Sequence, residues 1–364
     1  MIKITEVKKK QELKHFIHLP FKVHKYHKEW VPPLLSDEWT LFDKNKNHSF
    51  EFCDTTMLLA EKDGEVVGRI MGIINHMYNE AHGEKAARFC FMECFDDEEV
   101  FDELLSSVEN WGREKGMEKM VGPLGFSDKD PQGFLIEGFE DPVSVMITNC
   151  SLPYMVTHTE RNGYQKKIDL YQYRLIRPNE IPEVYLKIAE RVKSRGLEII
   201  PLKRSKQVRP WVGPVFDLIN ETYTEIYGFA PLTERESREF ADRFLPLLNP
   251  EFIKLIKNAD DELVGFVVAM PDIGPGIKKA KGRILPFGFV HILRSMRNSK
   301  QLNLLLGCVK NTVQNSGLDA LLAVELFKSA KKKNLKVIDS HLVMEENVKM
   351  RATFERLGGT CYKK

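Results

Sequence analysis

The C-terminal stretch constrains this chain most. Residues 302–309 read as an apolar strand and Gln314-Asn315-Ser316-Gly317 as a turn. Residues 318–333 read as a long helix, 336–340 as a short strand and 346–357 as a helix stopped by Gly358-Gly359. A strand that passes through a glycine turn into a helix leaves backbone N–H groups at the helix N-terminus, where a phosphate can sit. Gln314, Ser316, Gly317 and Leu318 are the candidate residues of such a turn, and Leu305 lies in the strand that leads to it.

The same order of elements occurs earlier. The first half predicts a strand over 2–7, a helix ending at Pro20, and a loop holding Trp30-Val31-Pro32-Pro33. Strands over 56–61 and 65–74 flank Lys62-Asp63-Gly64, and a strand over 88–95 leads into a helix over 97–115. In that helix Val100, Phe101, Leu104, Leu105, Val108 and Trp111 recur at helical spacing. A strand over 117–121, a helix near 153–161 and a strand over 168–175 follow. The second half predicts a strand over 197–202, helices over 212–225 and 234–245, and strands over 252–257 and 263–269 before the C-terminal stretch. Arg177-Pro178-Asn179 is the linker candidate, giving units over 1–176 and 177–364. Between matching helix stops the first half has 47 residues (Gly116 to Gly163) and the second 24 (Asn334 to Gly358). The first half therefore carries an insertion, which contains residues 122–133. Long Gly/Pro-rich loops are where functional residues concentrate.

Charge narrows the function classes. The 54 basic and 52 acidic side chains nearly balance, so no global field argues for nucleic acid. Six cysteines without a CxxC pair read as reduced core thiols of a cytoplasmic protein. The N-terminus has no apolar signal core, and no run approaches the roughly 20 apolar residues that span a bilayer. Residues 278–301 mix aromatic and aliphatic with basic side chains. They read either as an amphipathic membrane contact, centred on 285–300, or as an interdomain helix with a basic outer face.

Several side chains could carry chemistry. Glu93 lies in an apolar strand between Met92 and Cys94, and reads either as an outward position or as a base with a raised pKa. Asn75-His76-Met77-Tyr78-Asn79-Glu80-Ala81-His82 reads as a polar cap or as an amine pocket, with Asn75 and Asn79 binding substrate and His82 or His76 as base. The insertion offers Ser127, Asp128, Asp130 and Gln132 as an acceptor-orienting rim or as turn chemistry. Glu325 reads as a solvated flank of its helix. His15, His18, His24 and His27 match no metal-ligand signature, so no metal is expected.

Gln314-x-x-Gly317-x-Asp319 and Asn347-x-x-Met350-x-x-x-Phe354-x-x-x-Gly358-Gly359 resemble the turn and the late helix of the GNAT superfamily of acyl-CoA-dependent N-acyltransferases. Trp30-Val31-Pro32-Pro33-Leu34, Gly68-Arg69-Ile70, Asn75-His76, Phe89…Glu93, Gly122-Pro123 and Asp141-Pro142 resemble a narrower bacterial group of tandem GNAT-like proteins. The resemblance implies an α+β fold of two GNAT-like units, each a mixed β-sheet flanked by helices. It implies acetyl-CoA or a longer acyl-CoA as substrate, with Gln314, Ser316, Gly317 and Leu318 at the pyrophosphate and Leu305 and Asn347 on the pantetheine side. It implies an amine acceptor, an amino-lipid among the options, with Glu93 and His82 as catalytic residues. Three positions depart from the family pattern. Asp319 is acidic where the turn is small, Phe354 lacks the hydroxyl of the usual tyrosine, and Gly359 replaces an aromatic. The first half has Phe95-Asp96-Asp97-Glu98-Glu99 in place of the turn, which would repel phosphate. A non-catalytic ligand-binding module is the rival reading, and aminoacyl transfer from tRNA ranks below both.

Overall fold

The structure is a computed structural model that describes residues 1–141, 148–224 and 226–364. Pro142 of the Asp141-Pro142 motif and Glu225, at the end of the helix expected over 212–225, lie outside the described residues. The first part of the chain builds β1 (Ile2–Glu6), α1 (Lys10–Val23), α2 (Leu35–Leu41), β2 (Cys53–Lys62), β3 (Glu65–Asn75), α3 (His76–His82), β4 (Ala86–Cys94), α4 (Glu98–Glu114), β5 (Lys119–Val121) and α5 (Tyr154–Arg161). The second part builds β6 (Leu170–Ile176), α6 (Glu183–Lys193), β7 (Glu198–Ile199), α7 (Val212–Thr222), α8 (Glu234–Phe244), β8 (Ile253–Lys257), β9 (Leu263–Pro271), α9 (Gly274–Lys279) and α10 (Gly288–Asn298). It ends with β10 (Gln301–Val309), α11 (Leu318–Lys332), β11 (Val337–Asp339), β12 (Val343–Met344), α12 (Val348–Arg356) and β13 (Thr360–Lys363).

Two mixed sheets result, as expected for an α+β chain. The first has the order β1-β2-β3-β4-β5, antiparallel except for the parallel β4–β5 pair. In the second, β7-β8-β9-β10 are antiparallel and β10–β11 parallel. Strand β6 then closes that sheet, pairing antiparallel with β11 on one side and with β12 and β13 on the other. By strand pairing the chain divides between β5 and β6, and residues 170–176 belong to the second sheet.

Each sheet is covered on both faces. In the first, Phe101, Leu104, Leu105 and Val108 of α4 pack with Ile70 and Phe89, while Phe16 and Ile17 of α1 pack with Met71 and Cys90 opposite. Helix α4 sits so close to β3 that a Cβ on Gly72 would lie 2.9 Å from Val108 and 3.0 Å from Trp111. In the second, α7 lies on one face and α6 with α11 on the other.

Helix α1 runs three residues beyond the expected end at Pro20. Proline has no N–H to give the carbonyl of Phe16 one turn earlier. That carbonyl instead accepts a 2.8 Å bond from Nη1 of the buried Arg69, so the helix continues without an orphaned acceptor.

Both central strands carry a bulge beside a short parallel pair. In β4 the register slips opposite Arg69–Met71, and Phe91 adopts a φ of 49°. In β10 it slips between Leu304 and Leu306, leaving Leu305 as the extra residue. The parallel pairing stops at Arg88↔Val121 in one sheet and at Asn303↔Asp339 in the other. Beyond these points each pair of strands opens into a wedge.

The base of the second wedge is held by Asp339, which is fully buried. Its carboxylate accepts from Arg174 Nε and Nη2 at 3.0 Å each, Gln301 Nε2 at 3.1 Å and Tyr362 OH at 2.7 Å. These partners lie on β6, β10 and β13, and the Arg174 guanidinium also stacks 3.9 Å over the Tyr362 ring. Removing one member of a buried pair strands the other charge. Asp339→Ala is therefore expected to lower the urea-unfolding free energy by about 3–5 kcal/mol, whereas Lys187→Ala, in an exposed pair with Glu183, should change it by less than about 1 kcal/mol.

Candidate functional site

The two wedges differ in what fills them. In the first sheet the insertion lies along β4. Leu124 N–H donates to Phe89 O at 2.9 Å, and Arg88 Nη1 donates to Gly125 O and Phe126 O at 3.1 and 3.0 Å. The acidic run at the start of α4 is engaged by cations, Lys62 on Asp97 at 2.6 Å, His158 on Asp96 at 3.0 Å and Arg161 on Glu98 and Asp102. In the second sheet, β10 past Asn303 has no strand partner on its β11 side among the described residues.

The turn that follows β10 has the shape the sequence implies. Asn315 (φ 60°) and Gly317 (φ 91°) are left-handed, and no side chain caps α11. Its first amides therefore point outward unsatisfied by a cap. Gly317 is also required for space, since a Cβ there would lie 2.5 Å from Ile188 of α6. Ser316 Oγ is buried with no hydrogen-bond partner. Gln314 donates to Asn311 Oδ1 at 2.6 Å and accepts from Lys349 Nζ at 3.1 Å. Asp319 is exposed on the first turn of the helix.

Two residues implied at this site do other work. Asn347 Oδ1 caps α12 through Met350 N–H at 3.1 Å. The Leu318 side chain is buried in the core against α6, so only its backbone lies at the turn. Phe354 stacks on Tyr173 of β6 with ring centroids 5.3 Å apart, filling space.

A second constellation forms where the halves meet. His24, at the end of α1, is buried. Its Nε2 lies 3.0 Å from Glu93 Oε2, and its Nδ1 lies 2.9 Å from His27 Nδ1. Trp30 stacks flat on the His24 ring at 4.8 Å. Arg69 stands opposite Glu93 in the strand register. Trp30, Arg69 and Glu93, far apart in the sequence, thus converge on His24. A carboxylate only accepts, so His24 carries its proton on Nε2 and accepts at Nδ1. His27 then donates from Nδ1, and its Nε2 is left bare 3.8 Å from Cys150 Sγ. Lys278 of α9 and Lys363 of β13 bring positive charge to this cluster from the second half.

The electrostatics follow from burial. Burial pushes Glu93 up, but His24 and Arg69 hold its carboxyl below the ordinary value. It is therefore an ionised partner of His24, and the raised pKa of the base reading does not apply. Burial together with the positive charge of His24 lowers His27, and burial raises the Cys150 thiol to about 11. Glu38, near Arg69 and Glu93, is pushed up to about 7 by its burial.

The structure does not bring the remaining candidates to Glu93. His82 is exposed at the end of α3, stacked 4.0 Å from Tyr78, with Nδ1 on Tyr78 O. Helix α3 is tied to the Ala86 end of β4, about 23 Å from Glu93 at strand rise, so the pair of Glu93 with His82 is not formed. Asn75 caps α3 through Tyr78 N–H and donates to Phe126 O. Asn79 donates to Ala86 O. Both amides are spent on backbone. Asp130 is buried within its own loop, accepting from Ser127 N–H at 3.1 Å. Its neighbours Asp128 and Lys129 instead tie the insertion to Gly228 O and Ala230 O of the second half.

Sequence reasoning had taken His24 and His27 only as metal ligands on paper. Their spacing next to Trp30 was the signal available. His341, after β11, was not singled out at all. Burial holds it near 4, and Asp128 lies close enough to oppose that shift. Among the described residues no group of three His, Cys, Asp or Glu side chains is arranged to hold a metal.

No family model matches the chain. A bacterial ceramide synthase of Caulobacter vibrioides (strain NA1000 / CB15N) is 27% identical over 369 residues, covering 100% of this chain and 95% of that protein. Protein YghO of Escherichia coli (strain K12) is 26% identical over 368 residues, covering 98% and 92%. Among solved structures, a tandem GNAT protein from the clavulanic acid biosynthesis pathway aligns with 100% of this chain and 96% of its own at a TM-score of 0.55 and 11% identity. The chain has the tandem GNAT fold.

Glu38 gives a stability signature independent of function. Its pKa is raised in the folded state from 4.5 to about 7, so its contribution is full below the unfolded value and is lost as pH rises through the folded one. Wild-type unfolding free energy is expected to fall between pH 5 and pH 8 by an amount on the order of 3 kcal/mol from this group. Glu38→Gln should remove that fall in denaturant titrations at the two pH values.

Proposed function

We propose that the protein is an N-acyltransferase that moves an acyl group from an acyl-CoA, or from an acyl carrier with the same pantetheine arm, to the amine of an amino-lipid. The observation that carries the reading is the full-length similarity to a bacterial ceramide synthase, whose named product is an N-acylated long-chain amino alcohol. An open wedge in one sheet and a filled wedge in the other support it.

In this reading the thioester lies along β10 past the Leu305 bulge, where backbone groups of residues 305–308 face the wedge. The turn from Gln314 to Leu318 takes the pyrophosphate on its outward amides. The amine enters between the halves and must be neutral to attack. His27 Nε2 takes its proton, and Glu93, acting through His24, fixes the tautomer and stabilises the imidazolium. The nitrogen lone pair forms the new C–N bond at the thioester carbonyl. Donors on β10 hold the oxyanion. The C–S bond then breaks, and the proton taken from the amine returns to the thiolate.

Asp319 favours the rival, non-catalytic reading, because a carboxylate in the first turn opposes a second anion there. Calorimetric titration with acetyl-CoA and with a long-chain acyl-CoA separates the two. Binding of at least one is expected, and Asp319→Ala should tighten it about two- to fivefold. Absence of heat with either ligand, in folded protein, contradicts the proposal.

His24→Gln and Glu93→Gln are expected to lower kcat by about 10²- to 10⁴-fold while leaving acyl-CoA affinity unchanged. The base must be unprotonated and His27 titrates below 6.5. Wild-type kcat/KM should therefore fall on the acid side of that value and be flat above it. A profile still rising above pH 8 would remove His27 as the base.

A further inference from the structure

Helices α9 and α10, with the loop between them, form a lobe inserted between β9 and β10. Gly276 lets them cross closely, since a Cβ there would lie 2.6 Å from His291 O. The inner side of the lobe is apolar and settled. Ile273, Ile277 and Ile292 pack on Leu34 and Met270, and Leu35 N–H bonds Gly282 O at 2.9 Å. The outer side is apolar and uncovered. Leu285 is 75% exposed and Phe287 73%, with Phe289, Val290 and Leu293 exposed beside them.

The charge around this patch has one sign. Residues 273–300 contain seven Lys and Arg (Lys278, Lys279, Lys281, Arg283, Arg294, Arg297, Lys300) and no Asp or Glu. The chain as a whole is only +2, so the remainder is net acidic. All seven are exposed, and none forms an ion pair with a described residue. Most cations elsewhere on the surface are paired, such as Lys62, Lys85 and Arg113. A second copy of this face would bring like charges together, which disfavours self-association.

We propose that this lobe docks on an anionic bilayer surface, with Leu285, Phe287, Phe289, Val290 and Leu293 entering the headgroup–acyl boundary and the seven cations ringing them. Apolar insertion and electrostatic attraction act together at such a surface. The lobe packs on Leu34, and Trp30 in the same segment stacks on His24. A docked lobe thus sets the gap between the halves beside the membrane, where a lipid amine resides. That last step rests on the proposed acyltransfer, but docking does not.

Co-sedimentation with vesicles tests it, using the full chain, phosphatidylcholine alone and phosphatidylcholine mixed with phosphatidylglycerol. Wild type is expected to bind the mixed vesicles at least about tenfold more tightly, and to be released by salt. The double variant Leu285→Ser with Phe287→Ser should weaken that binding about tenfold or more. Arg294→Glu with Arg297→Glu should do so as well. All four positions are exposed, so circular dichroism should be unchanged. Equal binding to both vesicle types, or full binding by either variant, overturns the proposal. So does a wild-type dimer that the serine variant dissociates without any vesicle binding. Vesicle binding in a protein that forms no amide would overturn the proposed function and leave the docking surface standing.

Discussion

The buried carboxylate of Asp339 is the interaction on which the architecture depends. It binds Arg174 of β6, Gln301 of β10 and Tyr362 of β13, and so joins a strand delivered from the first half to the last strand of the chain. Its desolvation is offset only because every partner is in place. Two consequences follow from this one contact. The second sheet cannot be completed without residues 170–176, so the halves are built as one unit. The contact also falls at the last paired residue of β11, directly where the parallel strands part and the wedge begins.

Duplication explains the symmetry, and substitution explains its loss. Each sheet has a bulged central strand beside a three-residue parallel pair. The first wedge is filled by the insertion and faced by carboxylates already engaged with Lys62, His158 and Arg161. The second keeps an uncapped helix start and a glycine turn. The first half meanwhile contributes the His24–Glu93 relay and carries Val31 and Leu34 against the apolar cluster that also contacts Leu305. In the proposed reaction one half therefore holds the thioester while the other prepares the amine. The division of labour rests on how each wedge is filled.

The α+β class, the order of elements in both halves, the insertion and the glycine turn were legible in the sequence. All are set by local signals such as helical periodicity, turn residues and the conformational demand of Gly317. The crossing of β6 was not, because a short apolar strand says nothing about which sheet it joins. Helix α1 overran Pro20 because a remote arginine, Arg69, satisfies the carbonyl that proline leaves open. The pairing of Glu93 was misjudged for the same kind of reason. Asn75, Asn79 and His82 are close to it in sequence but lie at the far end of β4, whereas His24 lies 69 residues away and bonds it at 3.0 Å. Hydrogen-bonding residue types were read correctly as polar groups in need of partners. Their partners proved to be backbone groups of α3, β4 and the insertion.

The most direct measurement of the central claim is product analysis. Purified protein is mixed with a long-chain amino alcohol and a long-chain acyl-CoA, and the amide and the free CoA thiol are quantified together by mass spectrometry. The account predicts amide and thiol in equal amounts, with both absent when either substrate is omitted. Thiol release without amide, or no turnover despite bound acyl-CoA, would contradict it.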